Sequence, residues 1–261
     1  MDQKSHVTTR MWVWVTLVIL CLVAAVVYPR QKKNLVIVAA HWNEDLAWLR
    51  NSPYPVVIMD KVGSTPHSIR SDARYIATKT KNHGNECTSY IRFIIDNWDT
   101  LPEYTAFIHG HETSYHQKMT VFDAIKKLGS RSYYNFNSIC YKDWERGMPG
   151  FDLLMHWWDD HFKDVLGKKP EKIIAPCCAQ FIVRRENIRR VPLEKWRQFW
   201  EISMNPRYDS YFSGAAFECI WGMLLGKRPA IDTSSCSQCR RYGNKDEALY
   251  YEESTDKKKS R

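Results

Sequence analysis

Glycine and proline are both scarce, 11 of each in 261 residues and without a fixed period. That excludes collagen-like and low-complexity chains. No internal repeat recurs at solenoid or propeller spacing. After residue 28 there is no second long uncharged stretch, so only one membrane span is expected. Cys236-x-x-Cys239 lacks a second CxxC or a close histidine pair, which argues against a zinc knuckle. No nucleic-acid recognition motif is present and the basic residues are scattered, so no nucleic-acid partner is expected. What the chain does have is 44% apolar residues, 13% aromatics and 26% charged residues, enough for an ordinary core and too apolar for wholesale disorder. A net charge of +9 suits an anionic partner such as a phosphorylated small molecule or a membrane surface.

Residues 11–28, MWVWVTLVILCLVAAVVY, carry no charge. Eighteen residues rise about 27 Å as a helix, just enough to cross a bilayer core. Trp12, Trp14 and Tyr28 sit where the two interfaces would lie. Lys4 and Arg10 on one side nearly balance Arg30, Lys32 and Lys33 on the other, so charge sets no orientation. The alternative is a cleaved signal peptide, but the run is long for that and no small-x-small site precedes Pro29. The expected organisation is a tail (1–10), a single-pass anchor (11–28), a basic stem (29–33), one α/β domain (34–245) and a polar tail (246–261). With Cys21 in the span, seven cysteines remain, an odd number that leaves at least one thiol free beside one or two disulfides.

Residues 34–40, NLVIVAA, read as a buried strand, followed by His41-Trp42-Asn43-Glu44-Asp45 where a helix capped by Asn43 would begin. Residues 55–59 read as a second buried strand ending at Asp60. This is a βαβ opening, and ligands of such sheets lie beyond the carboxyl ends of the strands. Residues 85–98 form an amphipathic helix with Asn85 as its cap, and 104–108 the next buried strand. Further helices are expected over 120–128, 150–166, 185–204 with a break near Pro192, and 213–225, with an extended segment at Cys177–Val183.

The densest polar cluster, His109-Gly110-His111-Glu112 with His116, stands at the end of that strand. Alternate residues of an extended chain face one way, so His109 and His111 can share a site, and neutral imidazoles ligate divalent metals. Two histidines satisfied in a surface turn are the bland alternative. The His-Glu-x-x-His protease pattern is rejected, because His116 is one residue too far from His111 for a common helical face. Asn43, Glu44, Asp45 and Asp60 are candidates for holding a nucleoside, Asp60 through a ribose hydroxyl. Arg70, Arg74, Lys79 and Lys81 form a basic stretch able to meet a diphosphate. Glu218 lies between Phe217 and Trp221 on an otherwise apolar helix face, costly for a carboxylate without a partner or a task, and it is a candidate general base. His156-Trp157-Trp158-Asp159-Asp160 offers aromatics to a sugar ring, although aromatics at helical spacing are more often core.

Val36–Leu49, Phe107–His116, Cys177–Val183 with Arg185–Ile188, and Glu218-Cys219-Ile220-Trp221 ahead of Gly226, Cys236 and Cys239 together resemble the DUF3431 family, in family order across 34–243. The family is named for unknown function. Its layout is similar to that of GT-A glycosyltransferases, with a nucleotide-binding α/β start and then a strand ending in a metal motif. Where those enzymes carry Asp-x-Asp, this chain has His109-Gly110-His111, which leaves the metal open. The resemblance implies a membrane-anchored transferase with a Rossmann-like mixed sheet, in the Golgi or ER of a eukaryote. It would move a sugar from a nucleotide-sugar donor to a glycan or glycoconjugate acceptor. His109, His111 and, as a third ligand, His116 would act with Mn, Mg or Zn, and Glu218 would be the base. The alternatives are a His-x-His metal hydrolase, and a non-catalytic carbohydrate-binding or scaffold protein.

Overall fold

A near-continuous apolar run makes Leu35–His41 (β1) the centre of the sheet, because a strand flanked by parallel neighbours and covered on both faces has no polar side to present. The computed structural model describes residues 34–65, 75–79, 81–117, 119–137, 140–144, 146–171, 173–176, 178–226 and 239–241. The expected anchor at 11–28, the stem and both tails lie outside them, as do Arg70, Arg74, Cys177 and Cys236. Among the described residues no helix is long and apolar enough to cross a membrane.

The fold is mixed α/β. Val56–Asp60 (β2) and Tyr104–His109 (β4) run parallel to β1 on either side of it, and Tyr75–Lys79 (β3) lies parallel beyond β2. Tyr133–Asn135 (β5) ends the sheet, separated from β4 by an antiparallel strand, Phe181–Arg184 (β8), giving the order β3-β2-β1-β4-β8-β5. Cys140–Trp144 (β6) lies between Ile173–Pro176 (β7) and Cys239–Arg241 (β9) in a separate three-stranded sheet. Ala40 pairs with His109 and His41 with Asp60, and in this register the carboxyl ends of three parallel strands finish side by side.

Period-two alternation sorts the side chains into two layers. Leu35, Ile37, Ala39, Tyr104, Ala106 and Ile108 pack on one face with Val121, Ala124 and Ile125 of the helix Val121–Lys127 (α2). Val38, Ala40, Phe107, Phe181 and Val183 pack on the other with Asn85–Asp96 (α1). Rings dominate this second layer, where Phe107 lies 4.8 Å from Tyr90 and 5.4 Å from Phe181, and Trp221 5.5 Å from Phe181. His109 follows Phe107 by two and so belongs to the α1 side.

Several expected elements differ in detail. No α-helix follows β1, and Asn43 caps nothing. The chain makes a 3-10 helix at Ala47–Asn51, with Asp45 accepting from the Ala47 N–H at 2.8 Å. Upstream, the Glu44 carboxylate folds back onto the Trp42 N–H at 2.7 Å, and Pro53 closes the segment soon after. Asn85 is not the cap of α1 but its first residue, in the left-handed region at φ 48°, with Gly84 before it at φ 66°. Asparagine is among the residues that tolerate this conformation. The helix expected over 150–166 is Pro149–Trp157 (α3), a π turn at Trp158–Phe162 and Lys163–Leu166 (α4). Trp157 and Trp158 are buried in the core, the commoner place for aromatics at helical spacing, and offer no face to a sugar ring. The segment 185–204 divides at Pro192 as expected, into Arg185–Ile188 (α5) and Leu193–Ser203 (α6). The helix expected over 213–225 breaks at Cys219 and Ile220, into Ser210–Glu218 (α7) and Trp221–Leu225 (α8). The extended run after residue 176 is interrupted by a turn in which Cys178 and Ala179 have φ of 72° and 40°.

Candidate functional site

A cavity of about 380 Å³ opens over the carboxyl ends of β1, β2 and β4. Trp42, Glu44, Lys61, Glu86, His109 and His111 are on its walls. It lies at the place where strand order reverses, β2 on one side of β1 and β4 on the other, which is where open α/β sheets take ligands.

His109, His111 and His116 come together here. Their ring centroids are 5.1, 5.6 and 5.7 Å apart, and each offers a ligand atom within 4.8 Å of the other two. The loop 110–116 is not helical, so the spacing that rules out the protease helix does not keep His116 away. A bridge between Gln117 and Asn137 pins the end of this loop beside the segment that follows β5, and His116 is buried there. Nε2 of His109 and of His111 is buried without a hydrogen-bond partner among the described residues. Such an orphaned pair calls for an explanation, and a role as metal ligands is one.

Electrostatics keep these rings neutral, the form that ligates. Burial pushes the His109 pKa well below the usual value, reinforced by His111 and His116. Burial lowers His111 against the pull of Glu44. Burial takes His116 down to about 4, opposed by its bond to Asn137.

Glu86 stands beside the cluster on the cavity wall, whereas Glu218 interacts with Glu86 and is not among the residues lining that cavity. Glu86 lies one residue inside the N-terminus of α1, with Oε2 3.9 Å from His109 Nε2, and burial raises its pKa. Glu218, at the end of α7, accepts a hydrogen bond from the Cys178 N–H on the strained turn. Its pKa is raised to about 7, by burial first and by the nearby Glu86 charge second. Cys178 itself is held in a disulfide. Lys61 is the buried cation of the cavity wall, donating to the His83 carbonyl at 3.2 Å and to Thr88 Oγ1 at 3.0 Å. Burial lowers its pKa, while Cys87 and Glu86 oppose the shift.

The candidate nucleoside contacts separate. Glu44 is on the cavity wall. Asn43 and Asp45 are exposed and off that wall. Asp60 is buried, is not on the cavity wall, and organises its own turn. One oxygen accepts from the N–H groups of Val62, Gly63 and Ser64 and the other from the N–H and hydroxyl of Thr65, at 2.6–3.3 Å. Burial alone would raise its pKa, but these bonds together hold it well below the carboxylate range. Lys61 and Glu86 were not foreseen. Glu86 carries no distinctive signal, because an acid in the first turn of a helix is an ordinary feature and its neighbours Thr88 and Ser89 are polar as well. Trp42, 43% exposed at the rim, was not foreseen as a ring surface either.

The family model described as "Protein of unknown function (DUF3431)" matches residues 36–242. No curated protein matches the chain.

Proposed function

The chain belongs to the DUF3431 family, and from that membership and the cavity above the sheet we propose a metal-assisted glycosyltransferase acting on a nucleotide-sugar donor. The observation that carries the reading is the three-histidine cluster at the mouth of a nucleotide-type strand crossover. A divalent metal held by His109, His111 and His116 would supply charge to the leaving diphosphate. Three neutral ligands leave the charge of such an ion undiminished, which suits a diphosphate better than a carboxylate-neutralised site would. Lys61 adds a fixed cation on the cavity wall and Trp42 an exposed ring against which a base or sugar can stack.

In the proposed reaction an acceptor hydroxyl attacks the anomeric carbon of the donor. Glu218 takes the hydroxyl proton, the new glycosidic bond forms, and the bond to the diphosphate breaks with its electron pair leaving on the nucleoside diphosphate. A carboxylate with a pKa near 7 is matched to that proton transfer at neutral pH. The acceptor is a glycan or glycoconjugate in this reading. The anchor at 11–28, and a Golgi or ER location in a eukaryote, belong to the same proposal.

One observation favours a second reading, a metal hydrolase. His116 completes a three-histidine set of the kind zinc uses with an open position for water. The test is thermal shift of the full-length chain with UDP-, GDP- and CMP-sugars, without metal and with Mn²⁺ or Zn²⁺, beside a His109→Ala/His111→Ala control. The transferase reading expects one nucleotide class to raise Tm only with metal and only in the parent chain. A shift with Zn²⁺ alone and none with any nucleotide selects the hydrolase. No shift of either kind overturns both.

A further inference from the structure

The histidine cluster is held from behind by buried polar side chains that do not line the cavity described above. Gln180 is fully buried just before β8, and Asn137, 2% exposed, follows β5. The His109 N–H donates to Gln180 Oε1 at 3.1 Å. Asn137 spends its amide hydrogens on the Gln180 carbonyl and on Asn135 Oδ1, both at 3.1 Å. Asn137 Oδ1 therefore faces the cluster as an acceptor, and Gln180 Nε2 supports it from behind at 3.4 Å. Nδ1 of His116 lies 3.1 Å from that oxygen. An oxygen with no hydrogen can only accept, so the ring proton of His116 is on Nδ1 and the Nε2 lone pair is left for the cluster.

We propose that His109, His111 and His116 form a site for a first-row transition ion of the zinc class, and not for magnesium, with Asn137 and Gln180 as its positioning residues. This rests on the metal reading of the same site and names the metal class and the device that builds it. The ligand set is all imidazole. Such a set suits zinc, iron, cobalt and nickel, whereas magnesium wants oxygen ligands and retained water. Zinc-ligating histidines characteristically donate their second ring N–H to a fixed acceptor, which sets tautomer and ring orientation. Asn137 is that acceptor for His116. Gln180 acts one step further back, pinning both the His109 backbone at the end of β4 and the amide of Asn137. The Nε2 atoms of His109 and His111, buried without partners among the described residues, are then the atoms offered to the ion.

The test uses the metal-free full-length chain and Co²⁺ as a spectroscopic probe. One Co²⁺ per chain is expected to give visible d–d absorption, to be displaced by one equivalent of Zn²⁺, and to resist a large excess of Mg²⁺. Displacement by Mg²⁺, or no absorption at all, overturns the metal class. Asn137→Ala is expected to weaken Zn²⁺ binding about 10- to 100-fold, and Asn137→Asp, which still accepts from Nδ1–H, to restore most of it. Affinity unchanged in Asn137→Ala overturns the positioning role. If that variant does not fold, ¹⁵N NMR of the histidines in the parent chain decides. The Nδ1–H tautomer at His116 supports the proposal and the Nε2–H tautomer overturns it. Zinc binding without any nucleotide-sugar response would sink the transferase reading and leave this site standing.

Discussion

A β-carbon on Gly110 would sit 2.8 Å from Oε2 of Glu44 and 3.1 Å from its Cβ. The glycine between the two histidines is therefore the space that the Glu44 side chain occupies. The backbone there is fixed as well, since the Gly110 carbonyl accepts from the Trp48 indole N–H at 2.8 Å. Gly110→Ala must displace Glu44 from the cavity wall and from its bond to Trp42. A loss of about 1–3 kcal/mol is expected from such overpacking. Urea denaturation of the single and double variants checks the cause. In a Glu44→Ala background the Gly110→Ala cost should shrink, because the two residues share one space. Equal costs in both backgrounds would mean that the contact is not the reason for the glycine.

Asp60 makes the opposite case, a residue at a ligand-like place with a structural task. Its carboxylate accepts five hydrogen bonds from residues 62–65. Asp60→Asn replaces one acceptor oxygen with a donor facing donors, and a loss of roughly 1–3 kcal/mol is expected. The sign with pH follows from its lowered pKa. The carboxylate contributes fully above the unfolded pKa of about 4 and loses that contribution as pH falls below it. Nucleotide-sugar affinity in the folded variant should equal that of the parent. A large fall in affinity with stability intact would return Asp60 to the binding site.

These two residues show what the sequence makes legible. The buried strands β1, β2 and β4 are written in short apolar runs, and the polar residues that end them fall at the head of the sheet. Position was therefore readable, and the His109–His111 pairing with it. Direction was not. Asp60 ends β2 and Glu44 follows β1 by three residues, and both accept from backbone N–H groups of their own loops, yet only Glu44 also lines the cavity. Asn137 and Gln180 were invisible for another reason. They are 43 residues apart, and only the insertion of antiparallel β8 between β4 and β5 brings them together. The edge strand β3, Tyr75–Lys79, lacks the apolar run that marks its neighbours, and it too was unread.

The histidine cluster predicts acid sensitivity. His109, His111 and His116 all have lowered pKa values in the fold, with burial as the first cause. The unfolded chain binds protons on them from about pH 6.5 downward, while the folded chain does not. Stability from this source is complete above that pH and is lost as pH falls toward the folded value, about 4 for His116. Relative to the parent, a His116→Gln variant should therefore lose less Tm between pH 7 and pH 5. Calorimetry of the two metal-free chains checks it, and parallel Tm–pH curves would show that His116 does not titrate as described. Added Zn²⁺ should widen the parent's acid loss, because protonation of the ligands also releases the ion.

Glu218 titrates in the other direction, and this separates its chemistry from its packing. Its pKa is raised to about 7, so between the unfolded carboxyl value and 7 the folded chain holds a proton that the unfolded chain does not. Stability from this source is complete below the unfolded pKa of about 4 and falls as pH rises toward 7, by an amount on the order of 3 kcal/mol. Glu218→Gln keeps the shape and removes the ionisation. It should be more stable than the parent at pH 8 and no more stable at pH 4. The amide can present its oxygen to the Cys178 N–H, so the turn that positions it is retained. As the proton acceptor for the acceptor hydroxyl, however, it is lost. The sugar-transfer rate should fall about 10²–10⁴-fold while donor affinity is held. Gained stability at alkaline pH with transfer unchanged would make Glu218 a buried structural carboxylate, and the base would have to be sought at Glu86.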